Sequence, residues 1–201
     1  MATTQPLQGL SEGDRLIVGG DRFVTVSAEL AAAFQPGDRV VVVHETGDLL
    51  HIPSAEHAAA SSAVEAAVSA FEALSRCTDE QITDFYHRFA NLLADDAVFA
   101  SIATANEADV ADARQRGRAV GRLTLSASMR EGMIDGLRVW RDIPTRRRQQ
   151  IGEVLHGQWS VEQWRDPLGT VGFVFEGRPN VFADATGVLR TGNTVVFRIG
   201  S

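Results

Sequence analysis

Near the C-terminal end of this sequence, an apolar run, Thr170 to Phe175, leads into Glu176-Gly177-Arg178-Pro179-Asn180. Arg178 offers a planar guanidinium, whose fork fits a carboxylate or a phosphate. The same side chain could equally be tied up in an ion pair with Glu176. Asn180 stands before a helical stretch, where asparagine commonly caps the first turn. Arg198 closes the next apolar run, Thr194 to Phe197, at a place where charged side chains are normally solvated. Cys77 is the only cysteine, which excludes an internal disulfide or a cysteine-based metal site. It falls between two helical stretches and reads as a partly buried structural thiol. His44 and His51 flank a turn and could face each other. With His57 and His87 they lack the carboxylate–His spacing of a metal site, so no metal is expected.

Several elements must position these groups. Leu16 to Val18 and Phe23 to Val26 read as strands around the turn Gly19-Gly20-Asp21. Ser27 to Phe34 reads as a short helix ended by Pro36-Gly37. Asp38 to His44 and Leu49 to Ile52 are strands around Glu45-Thr46-Gly47-Asp48. After Pro53 the chain becomes alanine-rich. Ser54 is a plausible N-cap, and Val64, Val68, Phe71 and Leu74 form an apolar stripe. Thr78 to Gln81 is a capping box opening a second helix, with Ile82, Phe85, Phe89, Leu92 and Leu93 on one face. Further helices are expected at Ala97 to Arg116, ended by Gly117, and at Ser126 to Trp140. Trp159 to Trp164 looks extended. Thr170 to Phe175, Val181 to Arg190 and Thr194 to Phe197 then spell strand, helix, strand, with Gly192 as a left-handed helix cap. That is one βαβ unit with parallel strands, the beginning of a doubly wound domain. The expected organisation is a small β-rich unit, residues 1–53, followed by a helical region and an incomplete doubly wound domain, residues 54–201, which the resemblance given below implies is nucleotide-binding.

Composition limits the function classes. The chain has 201 residues, 44% hydrophobic and 22% charged, which suits a globular protein. Its net charge of -7 argues against a nucleic-acid partner, which would call for an excess of Lys and Arg. Arg146, Arg147 and Arg148 cluster, but a lone run of three reads as a solvated loop or helix end. No apolar stretch reaches the ~20 residues of a membrane span. The first residues show neither a basic n-region nor an apolar h-region, so no signal peptide and no membrane association are expected. The single cysteine fits a cytoplasmic setting.

The tail resembles a known family. Pro167 to Gly172 matches P-L-G-x-[IV]-G, Phe175 to Val181 matches Y-E-x-R-P-N-V with Phe for Tyr, and Gly192 to Arg198 matches G-N-x-[VI]-[IV]-[LI]-R with Phe197 at the [LI] position. Upstream, Asn106, Asp109 to Arg114, Arg122-Leu123 and Leu125 follow the pattern of the same enzymes' helical region. These stretches are similar to the N-terminal part of γ-glutamyl phosphate reductases, in the aldehyde dehydrogenase superfamily, over roughly residues 60 to 201. The resemblance implies an α/β fold with an aldehyde-dehydrogenase-like N-terminal portion. It also implies NADPH-dependent reduction of an acyl phosphate to a semialdehyde. In that chemistry a cysteine thiolate displaces phosphate, and hydride reduces the resulting thioester.

By the same resemblance, Asn180 is the donor facing the oxyanion of the tetrahedral intermediates. Arg178 is a candidate substrate-binding residue. Arg198 and Ser201 are candidate NADP-binding residues. They lie on the loop that meets the adenosine ribose, where Arg198 suits a 2′-phosphate and Ser201 replaces a carboxylate that would repel it. The family's nucleophilic cysteine lies well beyond the R-P-N motif, so Cys77 is not its counterpart, and the 201-residue chain alone is expected to be inactive. No G-x-G-x-x-G occurs, but the superfamily does not use that fingerprint. Residues 1–56 and the segment Arg141 to Trp164 depart from the family pattern, which suggests a divergent paralogue acting on another acyl phosphate. A homo-oligomer is expected. The competing reading is a truncated, non-catalytic paralogue that binds a partner chain.

Overall fold

The structure, a computed structural model, describes residues 4–200. The chain divides into two compact units, Met1–Ala63 and Val64–Ser201. The boundary falls inside a long helix.

The first unit holds two antiparallel hairpins, β1 (Arg15–Val18) with β2 (Arg22–Thr25) and β3 (Arg39–Val42) with β4 (Leu49–Ile52). Between them lies α1 (Ala28–Ala33), whose first turn is capped by the Ser27 hydroxyl. The buried residues of this unit are Val18, Val26, Leu30 and Phe34. Helix α2 (Ser54–Ser75) follows. Ser54 is the first residue of this helix rather than its cap. Its N–H donates to Asp38 Oδ1 at 2.8 Å, so the capping carboxylate comes from the loop before β3. His51 does not turn to His44 but bonds the other Asp38 oxygen at 2.7 Å. These bonds, the one to His51 first, hold the Asp38 carboxyl below its ordinary range.

The second unit is built on α3 (Asp79–Ala94), α4 (Asp96–Gln115) and α5 (Ala127–Asp142). The capping box at Thr78 and Gln81 forms on both sides. Ile82, Tyr86, Ala90 and Leu93 of α3 pack with Met133, Ile134 and Leu137 of α5 in the main core. The buried face of α3 is therefore rotated from the expected one. Phe85 and Leu92 are exposed, and Tyr86 is fully buried. The phenol explains the difference, because its hydroxyl donates to the Thr186 carbonyl at 2.6 Å and so satisfies its polar end. Burial pushes that phenol pKa up.

The expected stripe on α2 is also displaced. Val64 and Val68 are exposed, and the buried residue is Ala67. Thr194 donates to the Ala67 carbonyl at 2.8 Å, an approach that a small side chain permits.

After α5 the chain forms a hairpin, β5 (Gln150–His156) with β6 (Trp159–Trp164). Only β6 was expected. Leu155 is 76% exposed and Trp159 60%, so this ribbon shows little of the one-sided burial that makes a strand legible. Then come β7 (Thr170–Phe175), α6 (Val181–Ala185), a 3₁₀ segment Thr186–Thr191, and β8 (Thr194–Ile199). β7 and β8 are parallel, with Thr170 opposite Thr194 and Phe175 opposite Ile199. The α/β class and the βαβ order are as expected. The expected helix from Val181 to Arg190 tightens into 3₁₀ geometry halfway. There Gly187 lies so close to Trp140 that a Cβ would stand 2.5 Å from the ring. Gly192 ends the segment with φ 83°. No helix among the described residues is long and apolar enough to cross a membrane.

Candidate functional site

The site is assembled where β7 and β8 end. In parallel α/β sheets the carboxyl ends of the strands open onto a crevice, and ligands bind there. Two cavities meet at this edge. One, of about 460 Å³, lies among Asn106, Asp109, Arg118, Gly177, Arg178 and Gly200. The other, of about 670 Å³ and more open, is lined by Arg122, Met129, Phe175, Glu176, Arg178 and Asn180. Arg178 lines both.

Arg178 has a buried Nε without a hydrogen-bond partner. Its sequence neighbour Glu176 does not pair with it. That carboxylate accepts from Arg122 Nη1 at 2.6 Å instead. No ion pair to Arg178 is present among the described residues. A partly buried guanidinium without a counter-charge is costly.

Asn180 stands at the N-cap position of α6, but its side chain makes no capping bond. Its Oδ1 is buried and unpartnered, and its Nδ2 reaches Asp184 Oδ2 at a long 3.4 Å. Local structure therefore leaves this amide largely unclaimed.

Arg198 sits opposite Val174 near the end of β8. It is exposed and lines neither cavity. Ser201 lies outside the described residues.

The walls of the crevice are held by residues distant in sequence. Asn106 on α4 donates to the Leu123 carbonyl at 2.8 Å and accepts from the Leu125 N–H at 2.8 Å, which fixes the loop carrying Arg122. Its place in the motif pattern was visible, but this clamp was not.

Arg190 was missed altogether. It is buried, 6% exposed, and donates to the carbonyls of Arg141 (2.9 Å) and Ile143 and to Thr83 Oγ1 (2.8 Å). It thus closes the C-terminal end of α5. Nothing in its sequence surroundings distinguishes it from a solvated helix-end arginine.

The Arg146–Arg148 run is likewise not simply solvated. Arg147 is largely buried, with its side chain 12% exposed. It binds Asp79 through Nη2 at 2.5 Å and through Nε at 3.0 Å, and it also donates to the Cys77 carbonyl. Arg146 and Arg148 on either side adopt positive φ of 51° and 52°. Burial alone would push the Asp79 carboxyl up. Hydrogen bonds from Thr145 and Arg147, with the charges of Arg147 and Arg190, outweigh burial and hold it below the ordinary range. Cys77 is half-buried and lines neither cavity of the crevice.

A parallel βαβ unit carries a weakly held asparagine amide and an unpaired arginine at its carboxyl edge, the edge at which parallel α/β sheets bind ligands. Sequence and structure comparisons narrow this class. The chain is 45% identical to γ-glutamyl phosphate reductase of Nitrobacter winogradskyi over 109 residues, which are 51% of this chain and 25% of the relative. Its fold is similar to that of the γ-glutamyl phosphate reductase of Thermotoga maritima, with a TM-score of 0.64 and 26% identity over 69% of this chain and 34% of that one. The enzyme of the same description from Saccharomyces cerevisiae shows the same fold, with a TM-score of 0.63, 24% identity, and coverage of 70% and 36%.

No protein-family model matches. The chain spans a quarter of the curated relative and about a third of each solved structure. In sequence and in fold, then, it is similar to γ-glutamyl phosphate reductases over part of its length. This is consistent with their N-terminal portion.

Proposed function

We propose that this chain forms the N-terminal part of an NADPH-dependent reductase that converts an acyl phosphate, of the γ-glutamyl phosphate kind, to its semialdehyde. The observation that carries the reading is the pairing of Arg178 and Asn180 at the carboxyl edge of β7. Arg178 has a buried Nε with no partner, the donor Nδ2 of Asn180 is held only by a long 3.4 Å contact to Asp184, and both residues line one concavity, in a fold like that of the reductases.

In this reading the Asn180 amide donates to the carbonyl oxygen as it becomes an oxyanion. Such a donor acts most strongly when already aimed and shielded from water. Arg178 supplies the missing counter-charge for the phosphate or carboxylate of the substrate. NADPH supplies the hydride. Arg198, exposed near the end of β8, is the residue fitted to meet its 2′-phosphate, and Ser201 follows three residues later in sequence. The thiolate comes from a segment outside these 201 residues, because Cys77 lines neither cavity of the crevice. A cytoplasmic setting suits this chemistry. The β5–β6 ribbon, with Leu155 and Trp159 exposed, supports a homo-oligomer, since a lone two-stranded ribbon is marginal in water.

The test is the reverse reaction in a polypeptide that extends this chain to the nucleophile. The expected result is NADPH formation from glutamate 5-semialdehyde and NADP⁺ that requires inorganic phosphate. No phosphate-dependent NADPH formation would refute the reading.

A further inference from the structure

The first unit has a small core for its length. Among its described residues, the buried apolar side chains are Val18, Val26, Leu30 and Phe34. Its four strands stay in two separate hairpins, and a lone two-stranded hairpin is marginal in water. The unit has no cysteine, so no disulfide makes up the difference. Small units of this kind commonly gain the missing stability by association.

The hairpins show where association would act. Strand side chains alternate between faces. The pairing register puts Arg15, Ile17, Phe23 and Thr25 on one face of β1–β2, and Arg39, Val41, Leu50 and Ile52 on one face of β3–β4. A solvated sheet face is normally polar. Here each outward face centres on an apolar cross-strand pair. Ile17 (77% exposed) stands opposite Phe23 (53%), and Val41 (46%) opposite Leu50 (51%). The exposed parts of these four side chains come to roughly 400 Å² per copy, so two copies would bury about 800 Å², and the charged rim brings this near the ~1,200 Å² of a specific interface. The other faces turn inward: Val18 is buried on the first hairpin, and His51 of the second lies beside the Phe34 ring. The outward faces are therefore left for another chain.

Charge is ordered along each hairpin. Arg15 and Arg39 stand at the open ends of the two outward faces, and neither has a salt bridge among the described residues. The carboxylates stand at the turns, Asp21 in the first and Glu45 and Asp48 in the second. If the two hairpins lie face to face and head to tail, the apolar pairs meet, Arg15 reaches Glu45 and Asp48, and Arg39 reaches Asp21. The present contact of Asp21 with Arg22 is loose, 3.6 Å between exposed groups, and is readily exchanged.

We propose that the first unit is a dimerisation module whose partner is a second copy of itself. The β1–β2 hairpin of one copy covers the β3–β4 hairpin of the other, and the contact occurs twice about a two-fold axis. This arrangement is closed and covers both outward faces of both copies at once. The contact is independent of the chemistry proposed for the second unit, and it is a different surface from the β5–β6 ribbon.

The test uses the 201-residue chain with Cys77→Ser throughout. Chains carrying Phe23→Cys are mixed with chains carrying Leu50→Cys and mildly oxidised. Mixed disulfide dimers should exceed the proportion of random pairing, and either self-linked species should be scarce. Arg39→Glu in both chains should raise the chain concentration for half-maximal mixed cross-linking roughly three- to tenfold, since each contact occurs twice. Adding Asp21→Arg should bring it back to within about twofold of the starting value. Arg15→Glu with Glu45→Arg repeats the exchange at the other contact. All these positions are exposed, so each copy should keep its fold, which far-UV circular dichroism checks. Random proportions, an excess of self-linked dimers or no cross-link at any concentration reached would overturn the proposal. So would charge reversals that change nothing, or that the second substitution fails to rescue at both contacts.

Discussion

Glu176 accepts from Arg122 at 2.6 Å, and this bond leaves Arg178, two residues further on, without a carboxylate. A guanidinium in that position gains little from the fold and much from an arriving anion. Arg178→Met should therefore leave the unliganded chain about as stable as before, within ~1 kcal/mol, because a partly buried unpaired charge is exchanged for an apolar stem. It should also remove any rise in melting temperature that millimolar inorganic phosphate gives the wild type, since a ligand stabilises only a state it binds. Thermal unfolding with and without phosphate measures both. A large loss of stability without phosphate would make Arg178 a structural residue.

That relationship also shows how far the sequence could be read. The βαβ order and the parallel strands followed from apolar runs and from Gly192, since local signals dominate there. The motif around Arg178-Pro179-Asn180 was visible for the same reason. Partner choice was not. Glu176 lies two residues before Arg178, close enough to suggest a pair, but its partner was set by a loop 54 positions away. The buried faces of α2 and α3 were misplaced because periodicity cannot tell Tyr86 or Ala67, each held by a distant hydrogen bond, from a more apolar neighbour. The β5 strand was missed because its large side chains are exposed on both faces of a ribbon.

Arg190 gives a test of packing rather than chemistry. Its three bonds go to two carbonyls at the end of α5 and to Thr83. Arg190→Ala would leave those carbonyls without their donor in a buried place. A loss of about 2–4 kcal/mol is expected, read as a lower urea midpoint with an unchanged slope. A change below ~0.5 kcal/mol would show that water replaces the side chain freely.

Asp79 sets a pH dependence. Its carboxyl binds a proton less readily folded than unfolded, so its contribution is fully present above the unfolded value, about 4. It is lost as pH falls through the lowered folded value. The wild type should lose stability on acidification in this range, and Asp79→Asn should lose less over the same interval. Urea unfolding at pH 7, 5, 4 and 3 would show it. Parallel curves for the two proteins would mean that the Arg147 pair adds nothing.

Arg198 decides the cofactor reading. A 2′-phosphate held by a guanidinium is worth ~1.5–3 kcal/mol, roughly ten- to a hundredfold in affinity. In a chain long enough to complete the domain, Arg198→Ala should weaken NADPH by that factor and leave NADH nearly unchanged. Equal losses for both would make Arg198 structural, and equal wild-type affinities would remove the NADPH assignment.

The most direct measurement for the proposed reductase site is the turnover of Asn180→Ala in the polypeptide that carries the nucleophile, followed as phosphate-dependent NADPH formation. Removing one oxyanion donor typically lowers kcat by about 10²–10³-fold. Because Asn180 makes no capping bond, the variant should fold as the wild type does. The expected result is a fall in kcat of that order with KM for the semialdehyde little changed. A variant that folds normally and keeps the wild-type kcat would contradict the assignment of this crevice as the reducing site.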